Sequence, residues 1–269
     1  AIRAEAGDDR RKEEAATRKA RDYALEIAAD ISYPTIRVCV KILRWLWNQI
    51  YDGIELNHAE RLHEVANEKE VIYVPCHRSH FDYLLLGYIL YEEGLQTPHI
   101  AAGINLNLPI VGPILRRGGA FFLRRSFKGN RLYSAVFSAY LHEILVRGHP
   151  IEYFVEGGRS RTGRLLAPKG GMLAMTVRGY LRQPATPVLF QPVYIGYERL
   201  AEGDSYTTEL SGQAKRKERL SDLAKILGIM RHNYGEAHVS MCQPIFLDEL
   251  LAEYDETRAA LEEAMNAVQ

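Results

Sequence analysis

Hydrophobic positions along the chain fall into two regimes. Residues 1–30 are dense in Arg, Lys, Glu, Asp and Ala and predict a solvated helix. Pro34 breaks that pattern, and from Ile36 to Ile50 nearly every residue is apolar except Arg37, Lys41, Arg44, Asn48 and Gln49. These three cations recur at i, i+4 and i+7, one narrow stripe on a helix, with Trp45 and Trp47 expected on the broad apolar remainder. Such a helix suits a membrane interface, or a core position with snorkelling cations. Its cations make it a poor spanning segment.

After Gly53 short apolar runs alternate with helix-like stretches. Strands are predicted over 72–74, 99–102, 120–123, 151–155, 188–195 and 237–241, and helices over 79–93, over 130–147 and after Lys169. Residues 214–231 and 247–267 read as closing helices. This alternation implies βα units and an α/β fold, a mostly parallel sheet flanked by helices. The expected organisation is an N-terminal helical segment over 1–52 and an α/β domain over 53–269.

Composition narrows the class. With 269 residues, 47% apolar and 25% charged, the chain is neither disordered, collagen-like nor a polytopic membrane bundle. Cys39, Cys76 and Cys242 are odd in number and far apart, so they form no disulfide framework, and without a CxxC or His/Cys cluster no metal site is expected. A reducing compartment fits this usage. The chain opens Ala-Ile-Arg, with no secretory signal, and reads as a piece of a longer protein.

Charge changes the picture most. The 34 Lys plus Arg balance the 34 Asp plus Glu, which argues against a whole-surface nucleic-acid binder. Yet between Arg116 and Arg182 thirteen cations face three acids (Glu143, Glu152, Glu156), so that segment is +10 and the remainder −10. The cations cluster in Arg116-Arg117 with Arg124-Arg125-Ser126-Phe127-Lys128, and from Arg159-Ser160-Arg161 to Lys169, each beside a predicted strand. Loops at strand ends bind ligands in open α/β sheets, and Arg forks with Gly-rich turns suit a phosphate. Nucleic acid is not indicated: Phe121, Phe122 and Phe127 read as core, and no nucleic-acid motif is present. The GxxxxG spacing of Gly158–Gly163 is followed by Arg164-Leu165 where a P-loop needs Lys-Ser/Thr, so that reading fails.

The residues with chemistry lie in Cys76-His77-Arg78-Ser79-His80-Phe81-Asp82, directly after the strand at 72–74. A neutral imidazole oriented by a carboxylate can take a proton from a hydroxyl, as in a hydrolase triad with the substrate's hydroxyl replacing the serine. Ser79-x-x-Asp82 is equally a capping box in which Asp82 serves backbone amides. One carboxylate can do both. His77 precedes the helix and is the preferred base over His80.

His77-x4-Asp82 resembles the signature of the HxxxxD glycerolipid acyltransferase family, and three further blocks follow in order through residue 193. Gly119-Ala120-Phe121-Phe122-Leu123-Arg124-Arg125 resembles the second, Phe154-Val155-Glu156-Gly157-Gly158-Arg159-Ser160 the third and Val188-Leu189-Phe190-Gln191-Pro192-Val193 the fourth. Val155, Gly158 and Arg124 depart from the common pattern and argue against the lysophosphatidate branch. The run Glu156 to Arg164, with Gly103-Ile104-Asn105-Leu106-Asn107 and Pro192 to Glu198, is similar to the bacterial glycerol-3-phosphate acyltransferases of PlsB type. The resemblance implies acyl transfer from acyl-CoA or acyl carrier protein to the 1-hydroxyl of sn-glycerol 3-phosphate, with no cofactor, at the cytoplasmic face of the inner membrane. It implies His77 as base and Asp82 as orienter. Arg125, Arg159, Arg161 and Lys169 would bind phosphate, Glu156 and Gly157 substrate, and Pro192 and Val193 the acyl donor or the structure. Arg37, Lys41, Arg44, Trp45 and Trp47 would face a membrane. Apolar candidates for the acyl chain are Tyr83-Leu84-Leu85-Leu86 and the stretch Leu106 to Leu115. Dihydroxyacetone phosphate is the alternative acceptor, and a non-catalytic anionic-lipid-binding module the alternative class.

Overall fold

The computed structural model describes residues 10–255 apart from 65, 67–68, 128, 183–185 and 202–231. Two helices come first, α1 (Arg10–Ile27) and α2 (Tyr33–Ile50). There follow β1 (Gly53–Asn57), α3 (Glu60–His63), β2 (Glu70–Pro75), α4 (Asp82–Glu92), β3 (His99–Gly103), α5 (Val111–Arg117), β4 (Ala120–Leu123) and α6 (Arg131–Val146). The chain continues through β5 (Ile151–Glu152), α7 (Gly171–Arg182), β6 (Val188–Tyr197), β7 (Glu236–Met241) and β8 (Ile245–Phe246). The helix expected over 214–231 lies outside the described residues. Of that expected over 247–267, residues 247–255 are described and helical.

The described strands form one eight-stranded sheet in the order β1-β7-β6-β2-β5-β3-β4, with β8 also beside β6. Strands β6, β2, β5, β3 and β4 are mutually parallel. Strands β7 and β8 run antiparallel to β6, and β1 parallel to β7. The fold is therefore the mostly parallel, helix-flanked α/β sheet that the alternation predicts, with helices in front. The antiparallel edge and the strands β1 and β8 are additions to that expectation.

Helices cover both faces of the sheet. In β2, Val71 and Tyr73 join a core cluster with Trp47 and Ile50 of α2 and Leu85, Leu86 and Ile89 of α4. Ile72 joins the opposite cluster, with Tyr23 and Ile27 of α1 and Phe137 and Leu141 of α6. Alternate side chains of a strand point to opposite faces, and a strand covered on both reads as the continuous apolar run seen at 71–74. Pro192 sits inside β6 without breaking it. Its carbonyl accepts from Cys242 N at 3.0 Å, just past β7, so its missing N–H faces the gap between β7 and β8.

The two leading helices correct two expectations. Helix α1 is not wholly solvated: Ala16, Tyr23 and Ile27 are buried. Asn130 caps α6 by accepting from Tyr133 N at 3.0 Å and donates to Tyr23 Oη at 3.0 Å. Helix α2 buries Ile36, Val40, Leu46, Trp47 and Ile50. Trp47 is 2% exposed and packs edge-on against Phe81 at 5.4 Å, whereas Trp45 is 54% exposed. Two positions on a helix are about 200° apart, so the two tryptophans cannot share a face, and Trp47 is removed from any membrane role. Pro34 starts α2 rather than interrupting it, because its missing N–H is harmless in the first turn.

Candidate active site

Parallel strands β2, β3, β4 and β5 all end on one side of the sheet, and the candidate residues gather there. His77 lies two residues past β2, and Asp82 opens α4. Between them the chain turns tightly: Ser79 Oγ accepts from Phe81 N at 3.0 Å. Asp82 Oδ2 accepts from His77 Nδ1 at 2.9 Å, Arg78 N at 2.7 Å and Ser79 N at 2.9 Å. Oδ1 accepts from Tyr197 Oη at 2.8 Å. The cap and the dyad, alternatives in the sequence, are one arrangement. Asp82 is fully buried and can only accept, so His77 carries its proton on Nδ1, and Nε2 is the basic nitrogen facing the cavity that His77 lines.

The third block holds this arrangement from the other side. The His77 ring stacks on Phe154 with centroids 3.8 Å apart. Glu156 Oε1 accepts from His77 N at 2.9 Å and Oε2 from Leu166 N at 2.8 Å. Ser160 N donates to His77 O at 2.7 Å. Glu156 is buried and absent from the cavity wall, which corrects its expected substrate contact: it ties the strand-end turn to the loop beyond. Gly157, which does reach the wall, has φ +58°, and a Cβ there would lie 2.7 Å from Lys169 Cδ. Only glycine lets the lysine close over that turn.

A cavity of about 1030 Å³ opens at His77. Arg125 after β4, Arg159 in the loop after β5 and Lys169 line it, so three of the four expected phosphate ligands converge with the dyad. Arg161 does not line it. Arg124 does, but forms a bidentate pair with Glu26 of α1 at 2.7 Å for each bond. Arg116 likewise donates to the carbonyls of Glu26 and Ala28 at the end of α1. Part of the +10 segment is thus neutralised or used within the fold. Much of the remaining wall is apolar, with Ile36, Val40 and Leu43 of α2, Leu84 and Tyr88 of α4, and Leu106, Ile114 and Leu115, while His80, Thr97, Asn105 and Ser126 add uncharged polar positions. Of the expected acyl-chain candidates, Tyr83, Leu84 and, from the 106–115 stretch, Leu106, Ile114 and Leu115 reach the wall, while Leu85 and Leu86 are core. Pro192 and Val193 do not line it either, leaving the structural half of their expectation.

The sequence reading assigned no role to Tyr197, Phe154 or Glu26. Tyr197 stands 115 residues from Asp82 at the far end of β6; it falls within the run Pro192 to Glu198 that carries the family resemblance, but nothing in that run points to Asp82. Glu152 on β5 is fully buried with neither oxygen partnered among the described residues. Burial first, then the Asp82 charge, holds its carboxyl well above the usual range. Three potential metal-ligand atoms come within 4.8 Å in Glu55, Glu236 and His238. These residues lie on the β1–β7 edge, off the cavity wall, where His238 already meets Glu55 at 2.7 Å as its cross-strand partner.

A base oriented by a buried carboxylate, beside three cations and an apolar cavity, can activate the hydroxyl of an anionic acceptor next to a hydrocarbon chain. Curated relatives include a glycerol-3-phosphate acyltransferase of Pseudomonas aeruginosa (strain UCBPP-PA14), 56% identical over 251 residues that make up 93% of this chain and 30% of that one. Another, from Pseudomonas syringae pv. syringae (strain B728a), is 55% identical with the same coverage. The chain therefore spans 30% of the length of these relatives. The crystal structure of the 1-acyl-sn-glycerophosphate (LPA) acyltransferase PlsC from Thermotoga maritima aligns over 98% of this chain and 87% of that one, with a TM-score of 0.46 and 19% identity. Residues 206–268 match the family model for the glycerol-3-phosphate acyltransferase C-terminal region. Residues 54–196, more than half of the chain and including His77, Asp82, Phe154 and Glu156, match the acyltransferase model, and the chain belongs to that family.

Proposed function

We propose that this chain carries the catalytic centre of a glycerol-3-phosphate 1-O-acyltransferase, forming 1-acyl-glycerol 3-phosphate from a fatty acyl thioester of coenzyme A or acyl carrier protein. The observation that carries the reading is the opening of the His77–Asp82 dyad onto a cavity that brings Arg125, Arg159 and Lys169 together with a largely apolar wall. The cations bind the acceptor's phosphate and bring its 1-hydroxyl to His77 Nε2. His77 takes the hydroxyl proton as the oxygen attacks the thioester carbonyl, and Asp82 stabilises the imidazolium. Collapse of the tetrahedral intermediate breaks the C–S bond, and the imidazolium proton passes to the departing thiolate. A thioester is already activated, so these steps need no cofactor. A pure lipid-binding module has no use for an oriented base.

Association with a membrane surface belongs to the same reading. No described helix is long and apolar enough to cross a membrane. Val38, Ile42 and Trp45 are each more than half exposed at i, i+4 and i+7 on α2, beside Arg37, Lys41 and Arg44. Ile110 just before α5 and Ile114 within it are also exposed, and Ile42 and Ile114 both border the cavity. Arg44 is partly committed to Glu92 at 2.6 Å. This row suits shallow insertion with cations at anionic headgroups, so that acyl chains enter and leave through the mouth. The expected location is the cytoplasmic face of a bacterial inner membrane.

The test is the purified full-length protein with palmitoyl-CoA or palmitoyl acyl carrier protein, offered glycerol 3-phosphate or dihydroxyacetone phosphate. Acylated glycerol 3-phosphate is the expected product. Preference for the ketone identifies the alternative acceptor, and vesicle binding without acylation of either refutes the enzyme reading.

A further inference from the structure

Helix α4 lines the cavity with Tyr83, Leu84, Gly87 and Tyr88, a single face at helical spacing that leads away from His77. Gly87 lies in the body of that helix, where glycine is destabilising relative to alanine. Nothing in the fold demands it. Its φ is not positive, and a Cβ built there meets no atom within 4 Å. Two other cavity glycines are demanded locally: Gly157 by its positive φ, and Gly103 because a Cβ would lie 2.6 Å from Asn105 Oδ1. Gly158 and Gly171 are as open as Gly87 but stand in a loop and at a helix start, where glycine costs no helix-interior stability. What Gly87 leaves open is the cavity.

We propose that Gly87 is a specificity-determining residue, keeping the cavity wide enough along α4 for the distal part of a long acyl chain. The inference rests on the reading of this cavity as the acyl site and adds the residue that limits it. From Asp82 to Gly87 the helix rises about 7.5 Å, roughly the length of six methylenes. A chain whose carbonyl stands at His77 and which follows α4 therefore reaches Gly87 near its middle. A side chain at position 87 would obstruct everything beyond, while shorter chains would still seat their carbonyl.

Gly87→Ala and Gly87→Leu in the full-length protein test this, with kcat/KM measured for C8 and C16 acyl-CoA at saturating glycerol 3-phosphate. The expected result for Gly87→Leu is a fall in the C16:C8 ratio of at least about tenfold, since two excluded methylenes already amount to that. The KM for glycerol 3-phosphate stays as in wild type, and Gly87→Ala is intermediate while folding at least as well as the parent. Displacement of a fluorescent fatty acid by C8 and C16 fatty acids reads the same ratio without turnover. A ratio unchanged in Gly87→Leu, by turnover or by displacement, overturns the assignment. A wild type that binds both fatty acids but acylates nothing removes the acyltransferase reading, and the displacement ratio still decides the role of Gly87.

Discussion

Replacing Asp82 by Asn separates the two duties of that carboxylate, and the geometry predicts by how much. Three donors converge on Oδ2: His77 Nδ1 and the amides of Arg78 and Ser79, at 2.7–2.9 Å. An asparagine must place its oxygen there, because its NH₂ would face three donors. Its nitrogen then meets Tyr197 Oη, 2.8 Å from Oδ1 in the parent, and the hydroxyl can turn to accept. The three donors on Oδ2 stay satisfied, volume is unchanged, and His77 keeps its tautomer; the Tyr197 hydroxyl gives up its acceptor on Oδ1, which lowers stability. What the base loses is the negative charge beside the developing imidazolium. Charge-assisted hydrogen bonds contribute about 1.5–3 kcal/mol against about 0.5–1.5 for neutral ones. The difference, about 1–2 kcal/mol, is roughly a 5- to 30-fold loss in kcat. In a serine-protease triad the same substitution reduces kcat by about 10⁴ because the tautomer is wrong. The assay is initial-rate kinetics beside a urea midpoint, with His77→Ala as the reference for losing the base, expected to fall by about 10²–10⁴. A wild-type rate in Asp82→Asn would reduce Asp82 to a helix cap. A fall to the His77→Ala level at an unchanged midpoint would mean that the amide flips, and would refute the three-donor argument.

Other substitutions probe the rest of the site. Glu156→Gln sets its NH₂ against a backbone N–H whichever way the amide turns, since both parent oxygens accept from amides; stability should fall by about 1–3 kcal/mol, with the activity loss mainly in kcat. An unchanged urea midpoint with a raised glycerol 3-phosphate KM would restore the substrate role instead. Arg159→Ala should raise the KM for glycerol 3-phosphate by roughly 10- to 150-fold, the loss of one charged hydrogen bond, and an effect confined to the acyl donor contradicts the phosphate site. Folded Glu152 holds its proton to higher pH than the unfolded chain does, because burial raises it, so stability falls as pH rises past the usual glutamate range near about 4.3. Glu152→Gln should remove that slope from urea midpoints taken between pH 4 and 8, and its persistence would assign it to another group. His99 acts with the opposite sign: burial, then His149, lowers it to about 4, so stability is lost as pH falls from about 6.5 towards about 4. His99→Gln should flatten that acid limb, and an unchanged limb would exclude His99 as its source.

How much of this was legible along the chain depends on the range of the interaction. The buried strands β2 and β6 announce themselves as apolar runs, and the dyad as a five-residue step across a strand-to-helix turn, because each rests on neighbours in sequence. Strand β1 escaped notice because its GIELN is half-exposed and gains its partner only from β7, some 180 residues later. The tryptophans misled for a different reason. Apolar composition placed both on one face, whereas helical geometry allows only Trp47 into the core against Phe81.

Charge shows the same limit more sharply. A basic segment of +10 is real, yet its cations have distinct fates that only tertiary structure decides. Arg116 closes the end of α1 and Arg124 pairs with Glu26, so the N-terminal helix consumes two of the positive groups that a count would assign to substrate. Glu156, the acid most easily read as a substrate ligand, instead bridges two backbone amides and aims His77 from behind. Arg125, Arg159 and Lys169 line the cavity instead, from three separate stretches of chain. The motif glutamate and part of the positive charge therefore build the frame that positions His77, a division that a count of charges along the chain does not contain.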